Sequence, residues 1–175
     1  MAVNVMFAKV RDGAVIPSKR VEDMGFDIYA CFDENYIVIK PHETKLIPTG
    51  LASACDPGYG FVLFERGSTG SKGMARRCGV IDSGYRDEWF VCISNLNDKD
   101  LFISKIPYED VVKSVYGREC EERDMDRFIV YPYSKGIAQA LLLPVPECNT
   151  TEMSYDELKN IKSERGVGKL GSSNK

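Results

Sequence analysis

The sequence predicts an all-β fold of the sandwich, barrel or jelly-roll kind. Short strand-like segments recur from residue 3 to residue 104, and clusters of turn residues separate them at short intervals. Segments with a helical period are almost absent from the same region. A chain of 175 residues is long enough to bury a real core within one domain.

The composition is that of an ordinary globular protein, with 43% hydrophobic and 28% charged residues. A net charge of −3 does not point to nucleic acid or a membrane surface as a partner. No apolar run approaches the length that spans a bilayer, and residues 1–13 lack the long apolar core of a secretory signal. We therefore expect a cytoplasmic or nucleoplasmic protein.

Cysteine and histidine chemistry is not expected to carry a reaction. The six cysteines are scattered without a CxxC pair, a spacing that argues against a zinc site and suits reduced thiols. His42 is the single histidine and lies in a Pro-His-Glu-Thr turn, where a surface position is expected. Acid–base chemistry then falls to carboxylates, lysines or tyrosines.

The first half of the chain contains a series of predicted strands. Alternating or apolar segments indicate strands over residues 3–10, 24–32, 36–40, 45–51, 52–55 and 61–64. The Asp-Pro-Gly-Tyr-Gly sequence at 56–60 predicts a turn before the last of them. Asp27 is a charge inside the second strand, and it either faces solvent on an edge strand or is a cleft carboxylate near a metal.

Residues 65–73, ERGSTGSKG, combine an arginine, hydroxyls, glycines and a lysine. Glycines let backbone N–H groups approach a ligand, and hydroxyls and cations suit phosphate oxygens. The alternative is a flexible surface loop. The spacing is not that of a Walker loop, and residues 68–72 can open a single helical turn.

Residues 78–89, CGVIDSGYRDEW, predict a hairpin with an acid at its mouth. Asp82 follows two β-branched residues, and Tyr85 comes three positions later. This arrangement suits a site that activates water beside a flat or sugar-like ligand. Strands over residues 90–94 and 101–104 are expected to form a further hairpin.

Residues 106–128 are predicted to be an excursion between two strands, and such insertions cost little loop entropy. Pro107 lies near the start of a helix that ends at Gly117. Its core-facing stripe is expected to comprise Val111, Val112 and Val115. The charged segment 118–127 is expected to be exposed.

The last predicted strands cover residues 128–131 and 136–144, with 138–143 expected to be buried on both faces. Gln139 lies in this run, either as a core amide bonded to backbone or as a ligand contact at a subunit interface. Residues 154–157 fit a capping box before a short helix. The Gly/Ser/Lys-rich tail 163–175 is a disordered terminus or a segment that closes over a polyphosphate.

Five of these segments, in this order and spacing, resemble the five sequence motifs of the trimeric, all-β dUTPase family. They are MGFDIYA, ERGSTGSK, CGVIDSGYRDEW, KGIAQALLLP and RGVGKLGSS. The resemblance covers roughly residues 5–105 and 128–173. It implies a dUTPase-like jelly-roll or β-clip barrel at 1–162, a helix-containing insertion at 106–128, and a flexible phosphate-closing tail at 163–175.

The resemblance also implies hydrolysis of dUTP to dUMP and pyrophosphate, which limits uracil incorporation into DNA and supplies dUMP for thymidylate synthesis. It implies a homotrimer with shared active sites and Mg2+ on the triphosphate. Asp82 would be the general base, and Asp27 would touch the magnesium through water. The implied substrate-binding residues are Arg66, Gly67, Ser68, Gly79, Val80, Ile81, Tyr85, Gln139, Arg165, Leu170, Gly171 and Ser172.

Three features depart from the family pattern. Gly67 stands where a serine is more usual, and Leu170 stands where an aromatic residue usually stacks on the base. Loss of that stacking costs on the order of 1 kcal/mol, so we expect weaker tail closure. The 106–128 insertion resembles those of some phage and bacterial members, and it is a candidate partner-binding surface or a lid on the outside of the trimer.

Three other functions compete. A dCTP deaminase has a related architecture and uses a glutamate, for which Glu88 is the candidate. A nucleotide-gated regulatory protein would act through the 106–128 insert. A purely structural β trimer would require all five motif resemblances to be coincidental.

Overall fold

Twelve short strands build the described part of the chain, which in this computed structural model comprises residues 3–164 and 166–167. The strands are β1 (Val5–Lys9), β2 (Phe26–Ile28), β3 (Tyr36–Ile39), β4 (Thr44–Pro48), β5 (Leu51–Cys55), β6 (Tyr59–Phe64), β7 (Met74–Arg76), β8 (Val80–Ile81), β9 (Phe90–Asn95), β10 (Asp100–Ser104), β11 (Phe128–Pro132) and β12 (Ala138–Pro144). Three helices, α1 (Gly67–Gly70), α2 (Tyr108–Tyr116) and α3 (Tyr155–Asn160), and a 3-10 turn at Glu122–Asp124 complete them. The predicted all-β class is confirmed.

The strands pair in four sheets, with orders β1-β5, β11-β10-β3, β2-β12-β6-β8 and β4-β9-β7. One aromatic cluster marks the centre of the main core. Phe7 and Phe61 both lie edge-on to the fully buried Trp89, with ring centroids 5.8 and 5.1 Å from it. All six cysteines are free thiols, as expected.

Two predicted hairpins are wrong, and one predicted strand is much shorter than expected. β8 pairs with β6, while β9 pairs with β4 and β7 in another sheet, so residues 78–89 connect two sheets. β9 and β10 also lie in different sheets. Only Phe26–Ile28 of residues 24–32 forms a strand. Local alternation identifies strands but not their partners, because pairing is set by contacts distant in sequence.

The predicted burial of residues 138–143 on both faces is also wrong. Ala138 and Ala140 are buried, whereas Gln139 and the residues from Leu141 to Leu143 are half-buried. The strand thus has one inward face, in the alternation typical of antiparallel sheets. Gln139 is on the opposite face from the core, and this places it beside the candidate site.

The segment between β10 and β11 is helical, as predicted, and it covers one face of a sheet. β10 and β11 are parallel, and parallel neighbours require a crossover connection, which α2 provides. Val111 and Val112 of α2 join Phe102 and Phe128 in a second apolar cluster. Val115, expected in the same stripe, is 42% exposed. Gly117 ends the helix in the left-handed conformation.

Asp124 corrects the expectation that residues 118–127 are uniformly exposed, because its side chain is fully buried. Its carboxylate accepts two bonds from the Arg118 guanidinium, at 2.6 and 2.8 Å, and one from the N–H of Glu121 at 3.0 Å. These donors hold its pKa well below the ordinary range. The ion pair between Arg118 and the buried Asp124 therefore stabilises the insert, and the charged composition of the segment did not predict this burial.

The chain divides into two compact units, Met1–Val145 and Pro146–Lys175. The second unit contains α3, which begins with the predicted capping box. Ser154 Oγ accepts from the N–H of Glu157, and the Glu157 carboxylate accepts from the N–H of Ser154. The predicted division at residues 162 and 163 stays a prediction. In the described residues, no helix has the length and apolar character needed to cross a membrane.

Candidate active site

A polar cavity of about 550 Å³ lies beside the sheet that contains β2, β12 and β6. It brings together four of the predicted site residues and the backbone of a fifth. Its lining includes Asp27, Arg66, Gly67, Ser68 and Gln139, together with Arg20 and Asp23. The first, second and fourth of the motif segments therefore meet in one chain.

Asp27 and Arg66 form a two-bond ion pair at the wall of this cavity. Arg66 Nε and NH2 donate to the two carboxylate oxygens at 2.8 and 2.9 Å. Arg66 NH1 donates to the Gly136 carbonyl at 3.0 Å. Partial burial disfavours the charged guanidinium, but the Asp27 carboxylate outweighs it and raises the pKa of Arg66. A planar fork of this kind is suited to binding phosphate oxygens as well.

A single turn, α1, sets the position of Arg66. The buried Thr69 accepts from the N–H of Arg66 through its Oγ1 at 2.9 Å, and its own N–H donates to the Arg66 carbonyl at 3.0 Å. Gly67 faces open space, and a Cβ there would meet nothing within 4 Å. The serine usual at this position in the family would therefore fit, and the glycine is not required for steric reasons.

Gln139 stands level with Asp27 on one neighbouring strand and with Phe64 on the other. Its Nε2 donates to the Glu65 carbonyl at 2.8 Å, which is the backbone contact expected of a satisfied core amide. Gln139 also lines the cavity. The amide is therefore anchored to the backbone and lies beside the cavity, and its contact with a ligand at a subunit interface stays a prediction.

Asp82 lies in a turn at the end of β8. The N–H of Tyr85 donates to the Asp82 carbonyl at 3.0 Å, which closes the turn. The Asp82 side chain is exposed, and no hydrogen bond from residues 3–164 or 166–167 reaches its carboxylate. Its oxygens are thus open to water, as a base that activates water requires.

Strand β8 presents a free backbone edge, because it is the last strand of its sheet. Its inner edge pairs with β6, and the Gly79 carbonyl accepts from the N–H of Leu63 at 2.7 Å. A Cβ at Gly79 would lie 2.8 Å from Leu63 Cβ and 2.9 Å from Arg76 NH1, so only glycine fits. Val80 is 72% exposed beside this edge, whereas Ile81 is buried.

Asp82 and the cavity stand far apart within one chain. Ile81 of β8 lies opposite Phe61 of β6, so the next residue, Asp82, is level with Gly60. Asp27 is level with Phe64, on the strand at the other edge of the same sheet. Asp82 and Asp27 are therefore separated by four residues along the strands and three strand spacings across them, which corresponds to about 20 Å. A single chain therefore does not join the two halves of the predicted site.

Several residues at the cavity were not identified from the sequence. Gly136 supports Arg66 through its carbonyl and also accepts from the Tyr131 hydroxyl at 2.7 Å. Arg20 and Asp23 line the cavity, and the charge-rich sequence before Gly25 is the feature that could have indicated them. The predicted tail contacts, Arg165, Leu170, Gly171 and Ser172, lie outside the described residues.

Glu88, the candidate glutamate of a deaminase, is not a free acid. Its carboxylate accepts from Arg11 Nε at 2.8 Å, from Arg11 NH2 at 2.9 Å and from the N–H of Gly50 at 2.8 Å. The residue is only 8% exposed. This bonding disfavours a role for Glu88 in proton transfer to a nucleotide.

The family model for dUTPase matches residues 11–106, more than half of the chain. The chain belongs to the dUTPase family. A deoxyuridine 5'-triphosphate nucleotidohydrolase of Neisseria meningitidis is 30% identical over 152 residues, which cover 85% of this chain and 79% of that protein. One from Psychromonas ingrahamii is 32% identical over 155 residues, covering 86% and 81% of the two chains.

Solved dUTPase structures share the fold. A variant of the dUTPase of Staphylococcus bacteriophage 80alpha, bound to dUpNHpp, superposes with a TM-score of 0.68 at 23% identity, covering 97% of this chain and 98% of that one. The EIAV dUTPase has a TM-score of 0.59 at 20% identity, covering 87% and 98%. A dUTPase variant of phage phi11, with a TM-score of 0.60 at 21% identity, covering 86% and 97%, is described as coordinating a structural Mg(II) ion.

Proposed function

We propose that this dUTPase hydrolyses dUTP to dUMP and pyrophosphate, with Asp82 as the general base. The observation that carries the proposal is the family match over residues 11–106, because this range contains both the Arg66 side of the cavity and the Asp82 turn. The product dUMP can supply thymidylate synthesis, and removal of dUTP limits uracil incorporation into DNA.

The reaction is an in-line attack of water on the α-phosphorus. Asp82 accepts one proton as the water oxygen forms its bond to phosphorus, and the bond from the α-phosphorus to the bridging oxygen breaks to release pyrophosphate. The open carboxylate of Asp82 supports this role. Such chemistry needs a positioned water and neutralised charge, and no covalent nucleophile.

The segment around Asp82 also supports recognition of the nucleoside. The free outer edge of β8 offers the backbone of Gly79, Val80 and Ile81 to the uracil edge. Tyr85 packs against the deoxyribose and leaves no room for a ribose 2′-hydroxyl. The Tyr85 hydroxyl donates to the Glu88 carbonyl at 3.0 Å, which fixes one end of the ring.

The phosphates bind in the cavity beside Arg66. Arg66, Ser68 and the backbone at Gly67 hold phosphate oxygens, and Gln139 lies beside the α-phosphate. From the described part of the chain each Asp27 oxygen accepts one bond, so both can still accept from the water shell of Mg2+. A magnesium ion keeps several waters and binds largely through substrate phosphates, and when bound it neutralises triphosphate charge. The Asp27 carboxylate fits a contact with the magnesium ion through water.

The resemblance to the dUTPase motifs implies a homotrimer, and the geometry of the chain supports sites shared between copies. The separation of about 20 Å between Asp82 and Asp27 within the sheet exceeds the reach of one triphosphate group. A neighbouring copy would bring its Asp82 turn to the Arg66 cavity. Closure by Arg165, Leu170, Gly171 and Ser172 of the tail, with the weak stacking expected at Leu170, stays a prediction.

The proposal is tested by measuring pyrophosphate and ammonia release from dUTP, dCTP, dTTP and UTP in the presence of magnesium. We expect pyrophosphate from dUTP, at least a hundredfold slower reaction with the other three, and no ammonia, since recognition of a base edge and a sugar each discriminates strongly. Ammonia from dCTP would show a deaminase instead.

A protein partner for the insert stays a secondary proposal. Val115, Tyr116 and Met125 are each more than 40% exposed there and could form a contact surface. The insert also covers Phe102 and Phe128. A deletion of residues 106–128 would uncover these rings, so substitutions at the exposed positions are the better way to search for a partner.

A further inference from the structure

The carboxylate of Glu88 is locked in place at the end of the segment that carries Asp82 and Tyr85. Its three bonds, two from Arg11 and one from the N–H of Gly50, use both oxygens at 2.8 to 2.9 Å. Arg11 follows β1, 77 residues earlier in the chain. A forked guanidinium fixes the orientation of a carboxylate as well as its position.

Gly50 is the third member of this arrangement, and its geometry admits no other residue. It has a φ of +67°, and a Cβ would lie 2.8 Å from the Ala14 Cβ and 3.0 Å from the Cys31 Sγ. The Gly50 carbonyl accepts from the N–H of Val10 at 2.8 Å. The same glycine therefore connects the end of β1 to Glu88.

One hydrogen bond links this locked residue to the site. The hydroxyl of Tyr85 donates to the carbonyl of Glu88 at 3.0 Å. The neighbouring Trp89 is held by different bonds. Its backbone N–H donates to the Leu51 carbonyl at 2.7 Å, and its carbonyl accepts from Thr49 Oγ1 at 2.7 Å. Loss of the Arg11–Glu88 pair therefore leaves the anchorage of Trp89 in the core intact.

We infer that Arg11 and Glu88 are positioning residues that hold the Tyr85 ring where it excludes a ribose. This inference rests on the proposed contact of Tyr85 with the deoxyribose. The side chain of Arg11 is 44% exposed and touches Glu88 rather than the cavity beside Arg66. Its contribution is to the orientation of Tyr85, and therefore to the choice of dUTP over UTP.

The test is the ratio of kcat/KM for dUTP to kcat/KM for UTP in Arg11→Met and Glu88→Gln. We expect the ratio to fall roughly tenfold in each variant, since discrimination against one hydroxyl depends on the fixed position of the ring. Most of the change should be a lower KM for UTP. Arg11→Lys keeps the charge without the fork, so it should recover part of the ratio.

The matched control is Lys40→Met, which removes another ion pair, between Lys40 directly after β3 and Asp100 of β10, at 2.7 Å. It should leave the ratio unchanged. Fluorescence of Trp89, the single tryptophan and fully buried, reports whether each variant keeps its fold. Tyr85→Phe removes only the hydroxyl from an exposed ring, so it should lower the ratio of kcat/KM for dUTP to that for UTP by a similar factor. This variant keeps the test valid if Glu88→Gln does not fold.

Tyr85→Ala separates this inference from the proposed function. If Tyr85→Ala narrows the ratio while folded Arg11→Met, Glu88→Gln and Tyr85→Phe keep the wild-type value, the positioning role is wrong and the function stands. If Tyr85→Ala itself keeps the wild-type ratio, the sugar contact and the positioning role are both overturned.

Discussion

Asp82→Asn is expected to lower kcat for dUTP hydrolysis by about a thousandfold, in the middle of the range for loss of a general base. The amide has nearly the shape of the carboxylate but accepts no proton at neutral pH. Because Asp82 is exposed and its carboxylate has no bond from the described residues, its replacement breaks no contact on which the fold depends. The Kd for a non-hydrolysable dUTP analogue should change less than threefold.

The measurement pairs pyrophosphate release with calorimetric titration of the analogue. Asp98→Asn is the matched control, since Asp98 is also an exposed loop aspartate, and its carboxylate bonds to His42 at 3.1 Å with no other partner in the described residues. It should turn over at the wild-type rate. If Asp82→Asn also keeps the wild-type rate, another group activates the water.

Arg66→Met is the second change with a large expected effect, a rise of roughly a hundredfold in the KM for dUTP. Two causes add. The variant loses the positive charge beside the phosphates, and it leaves the Asp27 carboxylate in the cavity without the guanidinium that bonds both of its oxygens. An uncompensated negative charge repels a triphosphate. The KM of Arg66→Lys should lie between those of the wild type and Arg66→Met, because an ammonium keeps the charge but cannot bond a carboxylate or phosphate through two parallel N–H groups.

Initial-rate kinetics at increasing dUTP concentration measure this effect. Arg123→Met is the control, because Arg123 is an exposed arginine of the insert that pairs with Glu121 at 2.8 Å. It should leave the KM unchanged. A KM for Arg66→Met within threefold of wild type would show that the phosphates bind elsewhere.

Local features of the sequence predicted most of the elements correctly. Alternation located β1, short apolar runs located β3 and β6, and the sequence from Pro107 to Gly117 located α2 with both of its ends. These patterns are formed by neighbouring residues, so a single sequence contains them. The resemblance to the dUTPase motifs then named Asp27, Arg66 and Gln139, which the structure places around one cavity.

Features that depend on distant residues could not be predicted. The pairing of β8 with β6 is set by packing, and the predicted hairpin at residues 78–89 was therefore wrong. Asp124 is one of several charged residues in a segment that was predicted to be exposed, and its burial depends on its pairing with Arg118 within the folded insert. The bond between Arg11 and Glu88 joins residues 77 positions apart, and no local pattern indicates it.

The central claim is that one site is built from the Asp82 turn of one copy and the Arg66 cavity of another. It is tested most directly by co-expressing Asp82→Asn and Arg66→Met chains with different tags and measuring dUTP hydrolysis by the purified mixed assemblies at dUTP concentrations below the wild-type KM. In a mixed trimer with shared sites, one of the three sites contains both intact halves whichever variant supplies two of the chains, so activity should return to about a third of the wild-type rate. Activity no higher than that of the two separate variants would contradict a site shared between chains.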